Sequence, residues 1–158
     1  MPAFETLTSV ERSPAETFAH IVDLARWPSF RGYGPLPGIV SAERVGGGPV
    51  ERGARIRVTN TDGSVHHEIV EEFVPARLFR VRMELTPPTS AILARIDERV
   101  ELEPHGAGTR LRRRFDVTPR SIFTAPLAWF IARVLLRRAV LAHDRAVATA
   151  LGVCGDAA

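Results

Sequence analysis

Between residues 38 and 118 apolar side chains recur at every second position, and on either side of that block they recur at helical spacing. Residues 6–12 alternate loosely and stop at Ser13-Pro14, which predicts a first strand. Ser13, with Pro14 next and Glu16 three residues on, predicts a capping box that opens a helix over 14–24, with Phe18, Ile21, Val22 and Ala25 on one apolar face. Asp23 is unfavourable for the dipole of that helix and is expected to bond the following turn. Trp27, Phe30 and Tyr33 then precede a Gly- and Pro-rich loop, which predicts a second short helix and a mobile connection. Strands are predicted over 39–45, 54–61, 65–74, 77–85, 92–103 and 109–117, with Asp62-Gly63 as a hairpin turn. The run Gly46-Gly47-Gly48-Pro49 leads into a strand rather than a helix N-terminus, so it is a loop and not a phosphate cradle.

Residues 124–151 predict one long helix, with Thr124 as N-cap, Pro126 in the first turn and Gly152 past the last apolar residue. It is apolar on nearly all sides, so its rotation is not fixed by the pattern. The fold class expected is α+β: a curved antiparallel sheet of about seven strands gripping this helix, with a cavity between them.

Alternation assigns the sheet faces, because neighbouring side chains on a strand point to opposite sides. Phe79, Val81, Met83 and Leu85 are predicted inside, as are Ile56, Val58 and Asn60. Running back from Phe73, the same rule places Glu71, Ile69, His67 and Val65 inside. Ile96, Glu98, Val100 and Leu102 face Leu111, Arg113, Phe115 and Val117. The interior therefore carries Asn60, His67, Glu71, Glu98 and Arg113 as polar exceptions, and buried ionisable groups are costly unless paired or hydrated. Two readings stand: a Glu98–Arg113 ion pair, or a wet cavity wall that orients the polar end of a ligand. Arg80, Arg82, Arg110, Arg112 and Arg114 form a stripe on the opposite face.

Composition narrows the class. A chain of 158 residues with 45% apolar and 25% charged positions suits one globular domain, expected over 1–152 with 153–158 as a disordered tail. Its basic residues are all arginine, and the net charge of +3 is modest. No aromatic and basic residues interleave in a recognisable nucleic-acid module, so nucleic acid is not an expected partner. The lone Cys154 can form no internal disulfide, which fits a cytoplasmic protein. Neither a signal peptide nor a membrane-spanning segment is expected. His66-His67-Glu68 fails as a metal site because neighbours on a strand diverge, and His143-Asp144 reads as a helix-surface pair. No metal and no cofactor are predicted.

The order of elements resembles the START-like superfamily called SRPBCC, which includes pollen-allergen-like proteins and polyketide cyclases. The carriers are Val10-Glu11-Arg12-Ser13-Pro14-Ala15-Glu16-Thr17-Phe18, Asp23 with Trp27-Pro28, Gly53, Ile69-Val70-Glu71 with Pro75-Ala76-Arg77, and Gly108-Thr109-Arg110-Leu111. The resemblance implies a deep cavity for lipids, polyketides, quinones or aromatic compounds, entered near residues 33–37, 47–49 and 87–89. Its expected wall comprises Val58, Asn60, His67, Ile69, Glu71, Phe79, Val81, Met83, Glu98, Val100, Arg113 and Phe115 from the sheet. Trp27, Phe30 and Tyr33 join from the loop, either plugging the core or, for Tyr33, gating the entrance; Phe130, Arg133 and Val134 join from the helix.

Three functions follow as expectations. The first is non-catalytic carriage of an apolar small molecule in a cavity above a few hundred cubic ångströms. The second is an aromatase/cyclase-type enzyme, in which Arg113 stabilises an enolate and Tyr33 or His67 moves protons. The third is an adaptor that binds a protein or an anionic surface through the arginine stripe. A homodimer is compatible with all three.

Overall fold

The computed structural model describes residues 2–152. The expected tail and Cys154 lie outside the described residues. Seven antiparallel strands form one sheet in the order β1-β7-β6-β5-β4-β3-β2. They are β1 (Ala3–Val10), β2 (Ile39–Arg44), β3 (Arg55–Asn60), β4 (Val65–Val74), β5 (Leu78–Glu84), β6 (Leu93–His105) and β7 (Gly108–Pro119).

Helix α1 (Pro14–Val22) starts at the expected capping box: Ser13 Oγ accepts from the Glu16 N–H and the Glu16 carboxylate accepts from the Ser13 N–H. Asp23 caps a 3₁₀ turn over Leu24–Ser29 by accepting from the Ala25 N–H, which explains an acid at the wrong end of α1. Gly32 has φ +73, and a Cβ there would collide with the Leu36 carbonyl, so the loop closes tightly only because this residue is glycine.

The C-terminal helix is continuous but not uniform. It runs as α2 (Ala125–Phe130), a π-helical stretch over Ile131–Leu136, and α3 (Arg137–Gly152). The Thr124 side chain does not cap it; its hydroxyl bonds Ser121 instead. A π stretch widens the helix by about one residue, a deviation that sequence pattern does not announce.

The inner sheet face and the helix enclose the core. Phe4 stacks on Phe115 with centroids 5.0 Å apart, and Phe18 and Phe79 both meet the edge of Phe73. The predicted faces hold on β3, β5, β6 and β7, where Ile56, Val58, Phe79, Val81, Val100, Leu111 and Phe115 are all buried.

Strand β4 corrects the sequence reading. A register shift between Val70 and Glu72 makes a bulge opposite β5. Before the bulge His66, Glu68 and Val70 face in, and after it Phe73 does; Glu71 and Glu72 both turn to the outer face. Extending the phase of Phe73 through a bulge inverts every earlier position, as a one-residue slip must. The alternation therefore misplaces Val65, His67, Ile69 and Glu71.

The outer arginine stripe is interleaved with carboxylates. Arg80 meets Glu72 at 3.2 Å, Arg82 meets Glu71 at 3.1 Å, Arg112 meets Glu5 at 3.5 Å and Arg114 meets Asp116 at 3.1 Å. This face is a network of half-exposed ion pairs rather than a cationic surface, and pairs open to solvent contribute little each.

Candidate functional site

Between the sheet and the helix lies a cavity of about 180 Å³ with mainly apolar walls. Phe79, Met83, Ile96, Val100, Leu111 and Phe115 come from the sheet. Ile21, Trp27, Phe30, Leu36 and Pro37 close one side, and Leu136 and Val147 come from the helix. Trp27 is fixed by its indole N–H, which donates to the Ile21 carbonyl at 3.0 Å. The volume is below the few hundred cubic ångströms expected. It is closer to an engineered cavity of roughly 150 Å³ that takes benzene than to the roughly 300–1,000 Å³ of drug-sized sites.

Two polar clusters interrupt the apolar wall. The first is centred on Arg113, which the strand pairing sets opposite Val100, diagonal to Glu98. Its Nε and Nη2 both donate to Glu98 Oε1, at 2.9 and 2.5 Å, while Nη1 donates to Asp144 Oδ1 at 2.7 Å and to His143 Nδ1 at 2.9 Å. The guanidinium also lies 5.5 Å from the centroid of Phe115. Asp144 Oδ2 accepts from Thr6 Oγ1 at 2.7 Å, so the cluster ties β1, β6 and β7 to α3. Four of the five guanidinium N–H groups are thereby committed.

Arg113 only donates, so His143 Nδ1 accepts, and the proton of the neutral ring sits on Nε2, facing Ser29 Oγ at 2.9 Å. Burial, reinforced by the Arg113 charge, pushes the His143 pKa down to about 3. The ring is neutral at physiological pH. Burial raises the Glu98 pKa against the opposing pull of Arg113, with Glu68 and Asp144 adding to the rise. The two neighbouring carboxylates push the Arg113 pKa up although burial opposes them.

The second cluster lies on β3 and β4. Asn60 Nδ2 donates to Ser64 Oγ at 3.0 Å and to His66 Nδ1 at 3.1 Å. This leaves His66 Nε2 to donate to Glu68 Oε1 at 3.2 Å. Glu68 is buried and lines the cavity with His66 and Asn60. The second carboxylate oxygens of Glu68 and Glu98 make no hydrogen bond among the described residues, and both side chains face the cavity.

The fold divides the predicted set. Trp27, Phe30, Asn60, Phe79, Met83, Glu98, Val100, Arg113 and Phe115 line the cavity. Val58 and Val81 are buried on the same face without bordering it. His67, Ile69 and Glu71 point away because of the bulge.

Tyr33 stands outside, with its hydroxyl accepting from Arg138 Nη1 at 2.7 Å and that guanidinium over its ring. On the helix, Phe130 is solvent-exposed, Arg133 donates to the Ala3 carbonyl at 2.8 Å, and Val134 is half-buried off the cavity.

His66 and Glu68 were missed for the bulge. His143 and Asp144 were misread as a surface pair, yet the sequence did carry a signal. Asp144 sits between Val140 and Val147 at helical spacing, with no basic residue three or four positions away to pair it on the surface. Among the described residues no group of three or more His, Cys, Asp or Glu could hold a metal ion, and no helix is long and apolar enough to cross a membrane.

A bent antiparallel sheet closed by a long C-terminal helix over an internal cavity defines the helix-grip class. Residues 1–151 match the family described as polyketide cyclase/dehydrase and lipid transport, and the chain belongs to that family. Solved structures agree in fold. Ara h 8.0201 superposes with a TM-score of 0.62 at 18% identity, over 92% of this chain and 96% of that one. The di-domain ARO/CYC StfQ from the steffimycin biosynthetic pathway gives 0.69 at 14% identity, over 97% of this chain and 52% of that one. Protein MLL2253 from Mesorhizobium loti gives 0.68 at 12% identity, over 91% and 95%. No curated protein matches the chain in sequence.

Proposed function

We propose that this protein binds a small, mainly apolar molecule of one or two rings, whose polar end donates hydrogen bonds. The observation that carries this reading is the pairing of an apolar cavity with two carboxylates, Glu68 and Glu98, each holding one oxygen free toward it. Arg113 and His143 have their polar atoms committed to each other and to Asp144, Glu98 and Ser29. Beside the Arg113 cluster the cavity thus offers acceptors, while Arg26, another lining cation, is held to Asp23 through Nε. A hydroxyl or amine satisfies those acceptors, whereas a carboxylate would meet like charge.

The test is a thermal-shift and NMR titration with phenol, aniline, 1-naphthol and benzoate. The donor-ended compounds raise the melting temperature and shift resonances around Phe79 and Phe115, and benzoate does neither. Absence of any binding at millimolar concentration refutes the reading.

A catalytic reading rests on one further observation. Glu98, whose burial raises its pKa, faces the same cavity as Glu68, so one carboxyl could deliver a proton while the other takes one. StfQ is described as an aromatase/cyclase. A cavity of about 180 Å³ holds one or two rings and not a folded polyketide, so this reading also requires the cavity to open. Glu98→Gln would then abolish cyclisation of a diketide-bearing aromatic while leaving its binding intact; equal rates in both proteins refute it.

A further inference from the structure

The start of the C-terminal helix presents an apolar face that nothing among the described residues covers. Ile122 and Phe123, in the turn before α2, are 82% and 88% exposed. Leu127, Trp129 and Phe130 follow on the outward side of α2, while Ala128 and Ala132 take the buried side. This is the reverse of an ordinary surface helix, whose large apolar residues face the core. Five large apolar side chains, two of them beyond 80% exposed, exceed the scattered single residues normal on a soluble surface.

The charged side chains of this segment have one sign. From Val117 to His143 the chain holds Arg120, Arg133, Arg137 and Arg138 and no acidic residue. All four arginines are exposed. Arg120 and Arg137 make no side-chain hydrogen bond or ion pair among the described residues, Arg133 donates to a backbone carbonyl, and Arg138 donates to Tyr33. The outer sheet arginines, by contrast, are interleaved with carboxylates. A Trp- and Phe-bearing face beside unneutralised arginines matches the chemistry of the lipid interface, where aromatic rings settle at headgroup depth and cations meet anionic headgroups. A second copy of the chain fits less well: a two-fold contact would bring the same arginines together across the seam, with no acid in the segment to answer them.

We propose that residues 120–138 dock the protein on the surface of an anionic lipid bilayer, with Phe123 and Trp129 inserted at the interface. The test uses the Trp27→Phe protein, in which Trp129 is the remaining tryptophan. It is titrated with phosphatidylcholine vesicles, with or without 30% phosphatidylglycerol, and followed by Trp129 emission and vesicle flotation.

A blue shift and co-flotation with the anionic vesicles alone are expected. Ile122→Ser with Phe123→Ser abolishes both. Arg120→Gln with Arg137→Gln weakens binding roughly 30-fold, the product of the roughly 5-fold typical of each basic residue near such a surface. The proposal is overturned by equal binding to both vesicles or by no binding at millimolar lipid. A concentration-dependent dimer that buries Trp129 in sedimentation and emission measurements overturns it in favour of a second copy. Phenol titration of the Ile122→Ser, Phe123→Ser protein checks that the fold and cavity survive, so a loss of docking is read separately from the cavity's ligand.

Discussion

Replacing Arg113 by methionine removes the cation that sits between two buried carboxylates. The side chains of Arg113, Glu98 and Asp144 are 10%, 13% and 2% exposed, so water cannot take the place of the guanidinium without opening the core. Breaking one partner out of a buried ionic cluster costs about 3–5 kcal/mol, because the remaining charge is left unpaired. In a domain of this size that lowers the melting temperature by roughly 6–20 °C. Urea denaturation followed by circular dichroism at pH 7 measures the loss directly.

Two controls separate charge from packing. The triple variant Arg113→Met, Glu98→Gln, Asp144→Asn removes the stranded charges and should recover more than half of the deficit. Lowering the pH toward 5 should narrow the gap between wild type and Arg113→Met, since the stranded carboxylates can then take up protons. A loss below about 1 kcal/mol, the range of an exposed ion pair, would refute the claim that this cluster locks the helix to the sheet.

His143 has an ordinary pKa of 6.5 that burial lowers to about 3, so the unfolded chain gains a proton first as the medium acidifies. Its contribution is present above pH 6.5 and is lost as the pH falls toward 3, by up to about 5 kcal/mol at 1.36 kcal/mol per pH unit. His143→Gln should flatten the stability curve over that window; an unchanged slope would contradict the burial. His66→Ala and Glu68→Gln should change phenol affinity while His67→Ala and Glu71→Ala should not, and the opposite order would return β4 to the uninterrupted phase. Ala76 has φ +62, a left-handed conformation that costs an L-residue about 1–2 kcal/mol, so Ala76→Gly should raise stability by up to about 1 kcal/mol in urea melts. In a Trp129→Phe protein, Trp27 emission should respond to cavity ligands, and silence on phenol addition would place Trp27 away from the bound molecule.

The fold was legible because local chemistry and long-range pattern agreed. Ser13-Pro14 with Glu16, the Asp62-Gly63 turn and the alternation of β5, β6 and β7 each specify a backbone state that the sheet then uses. Glu98 facing Arg113 was legible for the same reason, since hairpin register follows from alternation once the turn is placed. The site was legible only where alternation is unbroken. On β4, one extra residue between Val70 and Glu72 exchanged His66 and Glu68 for His67 and Glu71. On the helix, apolar residues on all sides gave no azimuth, and the π stretch shifted whatever azimuth an ideal helix would have had. Asp144 alone, an acid inside an apolar stripe, pointed to the buried cluster.

The π stretch between Phe130 and Arg137 works as a gear tooth. Six residues at π pitch advance the helix by about one residue less than ideal α winding, which rotates everything beyond them by roughly 100° relative to everything before. The aromatic face of Trp129 and the Arg113-gripping face of Asp144 are therefore phased to each other by this stretch rather than by the helix as a whole. Deleting a single residue there would let the segment relax to an α-helix of nearly the same total turn, because five residues at about 100° match six at about 82°, so the two faces would keep their phase. Forcing all six residues into α winding would instead add roughly 100° and turn one end against the other, so that either the aromatics would swing toward the sheet or Asp144 would leave Arg113. A chain that keeps both attachments after the deletion, and loses one when the stretch is straightened at full length, is the signature to look for.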